Sequence, residues 1–389
     1  MKVLVAASGM WNDRKTLAAV RSLGKAGAHV TVAGDRHVGQ PFYSRYCNRR
    51  VNLPSPVSGS DGFGEALLAH VRHQGYDVLL PVCDYAAAAV AARLGEFALH
   101  VRTPVPEAAT LARAHDKWQT LTLAKAMGVG IPVSFCPRDA EEVRQAAAQL
   151  TYPCVLKLRK GAGANGLRYL KSPEELLDCY RERRAGSDGV FDHSFPILQE
   201  YVPGETHDVC LLFNRGRARA ALTQRRILTY PPSGGIGIYN ETTDEPEMRS
   251  QAITLLEALS WHGPAQVEFL LDARDGRPKL MEINSRFWGG LDLAIQAGVD
   301  FPVLACRMLM EGDVEPVLRY RVGLRYRWTL PFGLAHALVS RNKLQSMWMF
   351  LRLDAGATSD LWLSDPFPHL AEMFWTSGPR IQARLATRN

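Results

Sequence analysis

The stretch QVEFLLDARDGRPKLMEINSRFWGG, residues 266–290, carries two glutamates, Glu268 and Glu282, equidistant from Asp275. Arg274, Asp275 and Gly276 read as the turn of a hairpin between two strands. In an antiparallel pair the two glutamates then stand opposite each other on one face. Asn284, two residues past Glu282, points the same way. The other face would carry Val267, Phe269, Leu271, Met281 and Ile283, an apolar set suited to a core. Two carboxylates and an amide oxygen on a half-buried sheet are costly unless a cation joins them. Hard oxygen ligands of this kind suit Mg2+ bridging nucleotide phosphates. Arg286 follows at once and fits a charge clamp on metal-bound phosphates. A merely solvated acidic face gives no reason for that arginine.

A second stretch, VLKLRKGAGANG, residues 155–166, spells G-x-G-x-x-G with Gly161, Gly163 and Gly166. A dinucleotide fingerprint needs a strand, the glycines and then a helix at once, so that the pyrophosphate meets the helix N-terminus. Here YPCVLKL reads as one strand and LRYLK as a second, and a helix begins only at Ser172. The pattern is a hairpin with a glycine tip, whose backbone N–H groups can approach phosphate oxygens closely. Lys157 and Lys160 flank it, and a plain mobile loop is the competing reading. The first strand–helix loop, AASGMWNDR, holds a single glycine, so a nicotinamide-dependent oxidoreductase fails in both places. No G-x-x-x-x-G-K-[ST] string occurs, and no Ser-His-Asp or Cys-His arrangement competes. ILQEYVPGETHDVCLLF, residues 197–213, reads as strand, Pro-Gly turn and strand. Glu200 and the backbone of Tyr201 and Val202 could bond a purine edge, with His207 and Asp208 after the turn.

These segments need elements to hold them. A chain of 389 residues exceeds what one core usually serves, so two or three subdomains are expected. With 47% apolar and 22% charged residues the composition is globular. No apolar run approaches the ~20 residues that span a bilayer. MKVLVAASG is too short for a signal peptide and reads as a first strand. Seven cysteines, odd in number and never spaced C-x-x-C, argue against a disulfide framework and a zinc site, and a cytoplasmic protein is the expectation. The net charge of +7 suits an anionic ligand. Nucleic acid is not favoured, because no Lys/Arg block is interleaved with stacking aromatics.

KVLVAA, a helix bearing Leu17, Val20 and Leu23, and HVTVAG form a βαβ opening. A helix around GEALLAHVRHQG, the strand YDVLLPV and an Ala-rich helix continue it. Such alternation implies a parallel sheet, with ligands beyond the C-terminal strand ends, where Ser8 and Asp84 stand. Prolines around 102–116 mark a linker. A helix in DKWQTLTLAKAMG, the short strand IPVSF and a helix from 138–142 to about 150 follow. The expected division is 1–105, 106–190, 191–310 and 311–389.

Taken together, these residues resemble an ATP-grasp protein, similar to the carbamoyl-phosphate-synthetase and D-alanine–D-alanine-ligase branches, over roughly residues 1–310. The resemblance implies an α/β and α+β chain, with an ATP-grasp fold behind an N-terminal Rossmann-like parallel-sheet domain. It implies that Lys117 and Lys157 touch ATP phosphates and that Gly161, Gly163 and Gly166 belong to the loop closing over them. Glu200, Tyr201 and Val202 resemble the adenine-binding linker. His207 falls at a ribose position where an acid is usual. Glu268, Glu282 and Asn284 resemble the ligands of Mg2+, for which Mn2+ can substitute, and Arg286 the phosphate-contacting arginine. Ser285 stands where proline is common. RRILTYPPSGGIG, residues 225–237, resembles the segment bordering the acceptor substrate. Arg225 or Arg226 would stabilise an acyl phosphate there, and Gly234-Gly235 would let a loop close; a surface loop is the plainer reading.

The implied reaction is ATP-dependent ligation of a small carboxylate to an amine. The alternatives are a carboxylase or other acyl-phosphate-forming enzyme, and a nucleotide-binding module without activity. Ser8, Asp84, the 225–237 segment and residues 287–293 would line the acceptor site, with Phe287 and Trp288 either shaping a pocket or serving as core. A homodimer is in keeping with the resemblance. Residues 311–389 hold Trp328, Trp348, Trp362 and Trp375. YRVGLRYRW would add a strand, and NKLQSMWMFLRL an amphipathic helix. A packed lid or dimer surface is the plain reading of this tail, and peripheral membrane contact the sharper one.

Overall fold

A computed structural model describes residues 1–7, 13–35, 39–55, 60–161, 166–185, 195–230, 235–329, 333, 336 and 357–376. Near its N-terminus, β1 (Lys2–Ala6), β2 (His29–Gly34), β3 (Arg49–Asn52) and β4 (Val78–Pro81) form a parallel sheet in the order β3-β2-β1-β4. β1 is central and covered on both faces, which is why Val3 to Ala6 form an unbroken apolar run with no exposure. The helix Arg14–Lys25 starts where the Asp13 carboxylate accepts the Thr16 N–H. It buries Leu17, Val20 and Leu23. The helix Asp84–Ala91 follows β4 directly. β3 lies in a stretch with no strand pattern of its own.

A smaller antiparallel sheet runs β5-β8-β6-β7, from β5 (Ser134–Phe135), β6 (Cys154–Lys157), β7 (Arg168–Leu170) and β8 (Ile197–Glu200). β6 and β7 are the hairpin read from the glycine stretch. Gly161 at φ +125 and Gly166 at φ +74 take up backbone that other residues resist. Gly163 lies outside the described residues.

The third sheet has the order β13-β12-β9-β10-β11-β14-β15. Its strands are β9 (Gly204–Asn214), β10 (Arg217–Tyr230), β11 (Ile236–Thr243), β12 (Gly263–Asp272), β13 (Pro278–Asn284), β14 (Arg325–Arg327) and β15 (Ala357–Ser359). Both faces are covered. Val209, Leu211, Phe213, Val267 and Phe269 pack in one core with Leu255 and Leu256 of the helix Pro246–Ala258. Cys210, Leu212, Leu222 and Ile238 pack in another with Phe287, Trp288 and the Val3 and Val5 side of the first sheet. The described residues of the 225–237 segment are almost all strand. Most of it lies in β10 and β11, two paired strands, while 231–234, including Gly234, fall outside the described residues.

YRVGLRYRW does supply a strand, β14, which pairs with β11, and β15 runs parallel to β14. Residues 360–372 of the tail pack on the N-terminal domain. Arg21, 1% exposed, donates from Nε to Asp365 Oδ2 at 2.9 Å and to the carbonyls of Asp360 and Asp365. Asp365 also accepts from Ser44 Oγ at 2.7 Å and the Arg45 N–H at 2.8 Å. Arg14 pairs with Asp360 and with Glu372, the latter at 3.0 Å. Trp362 lies under the Lys25 ammonium at 3.8 Å and the Arg21 guanidinium at 4.7 Å. NKLQSMWMFLRL and Trp348 lie outside the described residues. Among those described, no helix is long and apolar enough to cross a membrane.

Candidate functional site

The β12–β13 hairpin sets Glu268 opposite Glu282, Val267 opposite Ile283 and Gln266 opposite Asn284. Gly276, at φ +69, permits the turn. A bulge then shifts the register, so that Phe269 pairs with Leu280. This corrects the expected core face: Leu280 is buried in the place given to Met281, and Met281 and Leu271 are only half-buried.

Pairing continues across the sheet. Glu268 stands opposite Asp208 of β9, and Asp208 opposite Gln224 of β10. Directly opposed residues share a face, so Glu282, Glu268, Asp208 and Gln224 form one polar row across four strands. Arg226, two residues past Gln224, joins that face. Its Nη2 donates to Asp208 Oδ1 at 2.7 Å and also to Glu268. Burial pushes the Glu268 carboxyl up; Arg226 opposes the rise, while Glu282 and Asp208 add to it. Among the described residues no group of three or more His, Cys, Asp and Glu could hold a metal ion by itself.

Glu282 collects cations from two other elements. Lys117 opens the helix Lys117–Ala126, capped by the Asp116 carboxylate. Arg159 bonds that same carboxylate, and its carbonyl accepts the Lys117 N–H at 2.9 Å, tying the helix start to the loop after β6. Lys117 Nζ lies 3.2 Å from Glu282 Oε2 and donates to the Gly161 carbonyl at 2.8 Å. Lys157 ends β6, and burial pushes its ammonium down to about 8 against the pull of Glu282. Burial alone would raise Glu282; Lys117, Lys157 and the Asn284 amide bring it below the usual carboxylate range. Asn284 Nδ2 donates to Glu282 Oε1 at 3.2 Å.

Arg286 is held on three sides. Nε donates to Asp84 Oδ2 at 2.7 Å, Nη2 to Asn284 Oδ1 at 3.0 Å and Nη1 to the Phe287 carbonyl at 3.1 Å. Burial would raise the Asp84 carboxyl, but Arg286 and His115 hold it well below its ordinary value. His115 Nε2 is 2.5 Å from Ser285 Oγ and 3.7 Å from Asp84 Oδ1. Both contacts use one ring nitrogen. A Ser-His-Asp relay needs the two nitrogens on different partners, so this trio is not a nucleophile site.

Glu200 ends β8, its oxygens engaged by the Val133 N–H at 2.9 Å and Arg274 at 3.1 Å. Val202 is buried. Tyr201 is exposed and meets Tyr169 edge-on at 5.9 Å, the two rings lining an open cleft with Tyr152, Pro153 and Lys171. Phe287 and Trp288 are fully buried, with Trp288 edge-on to Phe301 at 4.8 Å, so both are core. Ser8 lies outside the described residues.

Two expected site residues face away. His207 pairs with Phe269 and Arg225, on the opposite face from Glu268, and its nitrogens lie 3.8 Å from Glu205 and Glu245. Arg225 is bound to Glu241 at 2.7 Å and 2.9 Å on that same far face. Asp208 and Arg226 occupy the site side instead. β9 is apolar on both faces, so alternation along THDVCLLF does not reveal which residues face the glutamates. Arg225→Ala is expected to cost under about 1 kcal/mol, as half-exposed ion pairs do, and to leave turnover within twofold of the parent. Chemical denaturation and an ADP-release assay check both.

Residues 194–330 match a family model described as "ATP-grasp in the biosynthetic pathway with Ter operon". Among curated proteins, the mitochondrial propionyl-CoA carboxylase alpha chain of Sus scrofa is 23% identical over 252 residues, 60% of this chain and 33% of that protein. The Homo sapiens protein is 24% identical over 252 residues, with the same coverage of 60% and 33%. The chain thus spans about a third of the length of these relatives. Among solved structures, the biotin carboxylase domain dimer of Hydrogenobacter thermophilus 2-oxoglutarate carboxylase, in complex with MgADP, ADP and bicarbonate, aligns with a TM-score of 0.68 at 18% identity. The alignment covers 83% of this chain and 73% of that one. The L-amino acid ligase from Bacillus licheniformis aligns with a TM-score of 0.60 at 16% identity, covering 81% and 75%. The fold is the ATP-grasp fold with an N-terminal parallel-sheet domain. The family likeness rests on residues 194–330, and the fold on the aligned structures.

Proposed function

We propose that this protein is an ATP- and Mg2+-dependent ligase that activates a carboxylate as an acyl phosphate and joins it to an amine. The observation that carries the reading is Glu282, set opposite Glu268 and beside Asn284, with Lys117 at 3.2 Å and buried Lys157 nearby. Two facing carboxylates, one of them, Glu268, pushed up by burial and by the charge of Glu282, fit a divalent cation. Mg2+, or Mn2+, held by Glu268, Glu282 and Asn284, would neutralise phosphate oxygens. Lys117, Lys157 and the 161–166 loop would bind the phosphates, and Glu200, Tyr201 and Val202 the purine. Arg226 and Arg286 stand ready for the charge that develops in transfer.

A carboxylate oxygen bonds the γ-phosphorus while the bond to the β,γ-bridging oxygen breaks, ADP keeping the electron pair. The amine nitrogen then bonds the acyl carbon. The carbon–oxygen bond to phosphate breaks with its pair on phosphate, and the nitrogen's proton passes to phosphate or solvent. Such transfer asks for positioning and charge neutralisation rather than a covalent nucleophile. A carboxylase is the second reading, supported by relatives named as carboxylases and by the bicarbonate in the Hydrogenobacter thermophilus complex. That neighbour is a dimer, which supports a homodimer here.

The test is ADP and phosphate release with Mg2+ and ATP across amino acids and small carboxylates, offered singly and in pairs. Release that needs two substrates supports the ligase. Release with bicarbonate or a single carboxylate supports the carboxylase-like reading. MgATP binding with no release under any combination overturns both.

A further inference from the structure

Asp84 belongs to the N-terminal parallel-sheet domain, as the first residue of the helix after β4. Its partners come from elsewhere. Arg286 and Ser285 follow β13, about two hundred residues later in the chain. His115 ends the helix Ala108–His115, two residues before Lys117. Arg286 Nε donates to Oδ2 at 2.7 Å, and Ser285 Oγ to Oδ1 at 3.4 Å. His115 Nε2 lies 2.5 Å from Ser285 Oγ, close enough to hand that hydroxyl a proton and turn its own toward Asp84. One carboxylate therefore gathers the end of the metal-bearing hairpin and the start of the Lys117 helix.

A guanidinium has five N–H donors in a rigid fork. Three of those on Arg286 are taken, by Asp84, Asn284 and the Phe287 carbonyl. Among the described residues, one N–H on each terminal nitrogen remains without an acceptor. Asn284 and Phe287 sit on the same strand end as Arg286 and move with it. Asp84 does not, and so it is the anchor that fixes the fork against the rest of the molecule.

We propose that Asp84 is a positioning residue for phosphoryl transfer: it aims the two remaining Arg286 N–H groups at the transferred phosphoryl group and registers them against Lys117 through Ser285 and His115. The assignment rests on the ligase reading. It makes the docked N-terminal sheet part of the catalytic apparatus, because without β4 and its helix Arg286 loses its anchor.

The experiment is a double-mutant cycle with Asp84→Asn and Arg286→Lys in the full chain, using a substrate pair that the parent turns over. Asp84→Asn keeps the size of the side chain and one acceptor oxygen but removes the charge. It should lower kcat about 10–100-fold, the scale of a small misplacement of a positioned group. The KM for MgATP should change less than about threefold. The double variant should be no slower than the slower single one, since both changes break one device. Additive losses, or Asp84→Asn at parental kcat, overturn the proposal while leaving the ligase reading intact. A parent that turns over no substrate pair overturns both. Should Asp84→Asn fail to fold, Asp84→Glu serves: it keeps the charge but displaces it by a methylene, and kcat at the parental level would overturn the assignment.

Discussion

Glu282→Gln is expected to reduce ATP turnover by about 10²–10³-fold or more while the fold persists. The substitution keeps the shape of the side chain and removes its charge. Glu282 has two duties that need that charge. It sits 3.2 Å from Lys117 Nζ, which in turn holds the Gly161 carbonyl at 2.8 Å, so it ties Lys117 to the start of the segment proposed for the phosphates. It also stands opposite Glu268 with the Asn284 amide beside it, the set proposed for the metal. Loss of one preorganised electrostatic partner in an enclosed site typically costs two to three orders of magnitude in kcat. Here the loss falls on metal and lysine together, which places the effect at the upper end. ADP release under saturating MgATP checks the rate, and thermal unfolding checks the fold. Parental turnover in a folded Glu282→Gln protein would remove Glu282 from the site.

Asp365→Ala should be the most damaging substitution far from the site. Arg21 is buried inside the N-terminal domain, and Asp365 Oδ2 takes its Nε hydrogen at 2.9 Å. The same carboxylate satisfies Ser44 Oγ at 2.7 Å and the Arg45 N–H at 2.8 Å. Removing one partner of a buried ion pair leaves an uncompensated charge, at a cost of about 3–5 kcal/mol. A chain of several subdomains has no single unfolding free energy, so the change is best read locally. Hydrogen exchange should speed up across Arg14–Lys25 and 357–376 by at least a hundredfold, the factor that about 3 kcal/mol implies. Exchange unchanged in both segments would show that the tail is held by something other than this carboxylate.

The lesson for sequence reading lies in which contacts are local. The hairpin carrying Glu268, Glu282 and Asn284 was legible because its turn is short, although the register beside the turn sets Leu271 opposite Pro278 and only the bulge between Glu268 and Phe269 brings the two glutamates opposite each other. The bulge that exchanges Met281 for Leu280 was not, since a one-residue slip depends on what packs against the strand. The glycine tip between β6 and β7 was legible by the same local logic, as strand, loop and strand in order. β10 and β11 escaped because RRILTYPP carries its charges on both faces, some answered by β9 and some by β11, and so shows no simple alternation. His207, not Asp208, matches the ribose position, and Arg225 is indistinguishable from Arg226, because residue type is readable along the chain and strand parity is not.

By its sequence alone this protein determined its ATP-grasp character, the carboxylate pair with its amide, and the two lysines that meet them. Each rests on residue types held in order by short turns and helix starts. Tertiary structure alone decided which face Asp208 and Arg226 share with the glutamates, that Asp84 anchors Arg286, and that Arg14 and Arg21 are buried beneath the tail. Those contacts join residues dozens to hundreds of positions apart. A charged side chain read in one dimension belongs by default at the surface, and only the arrival of its partner in space makes burial affordable.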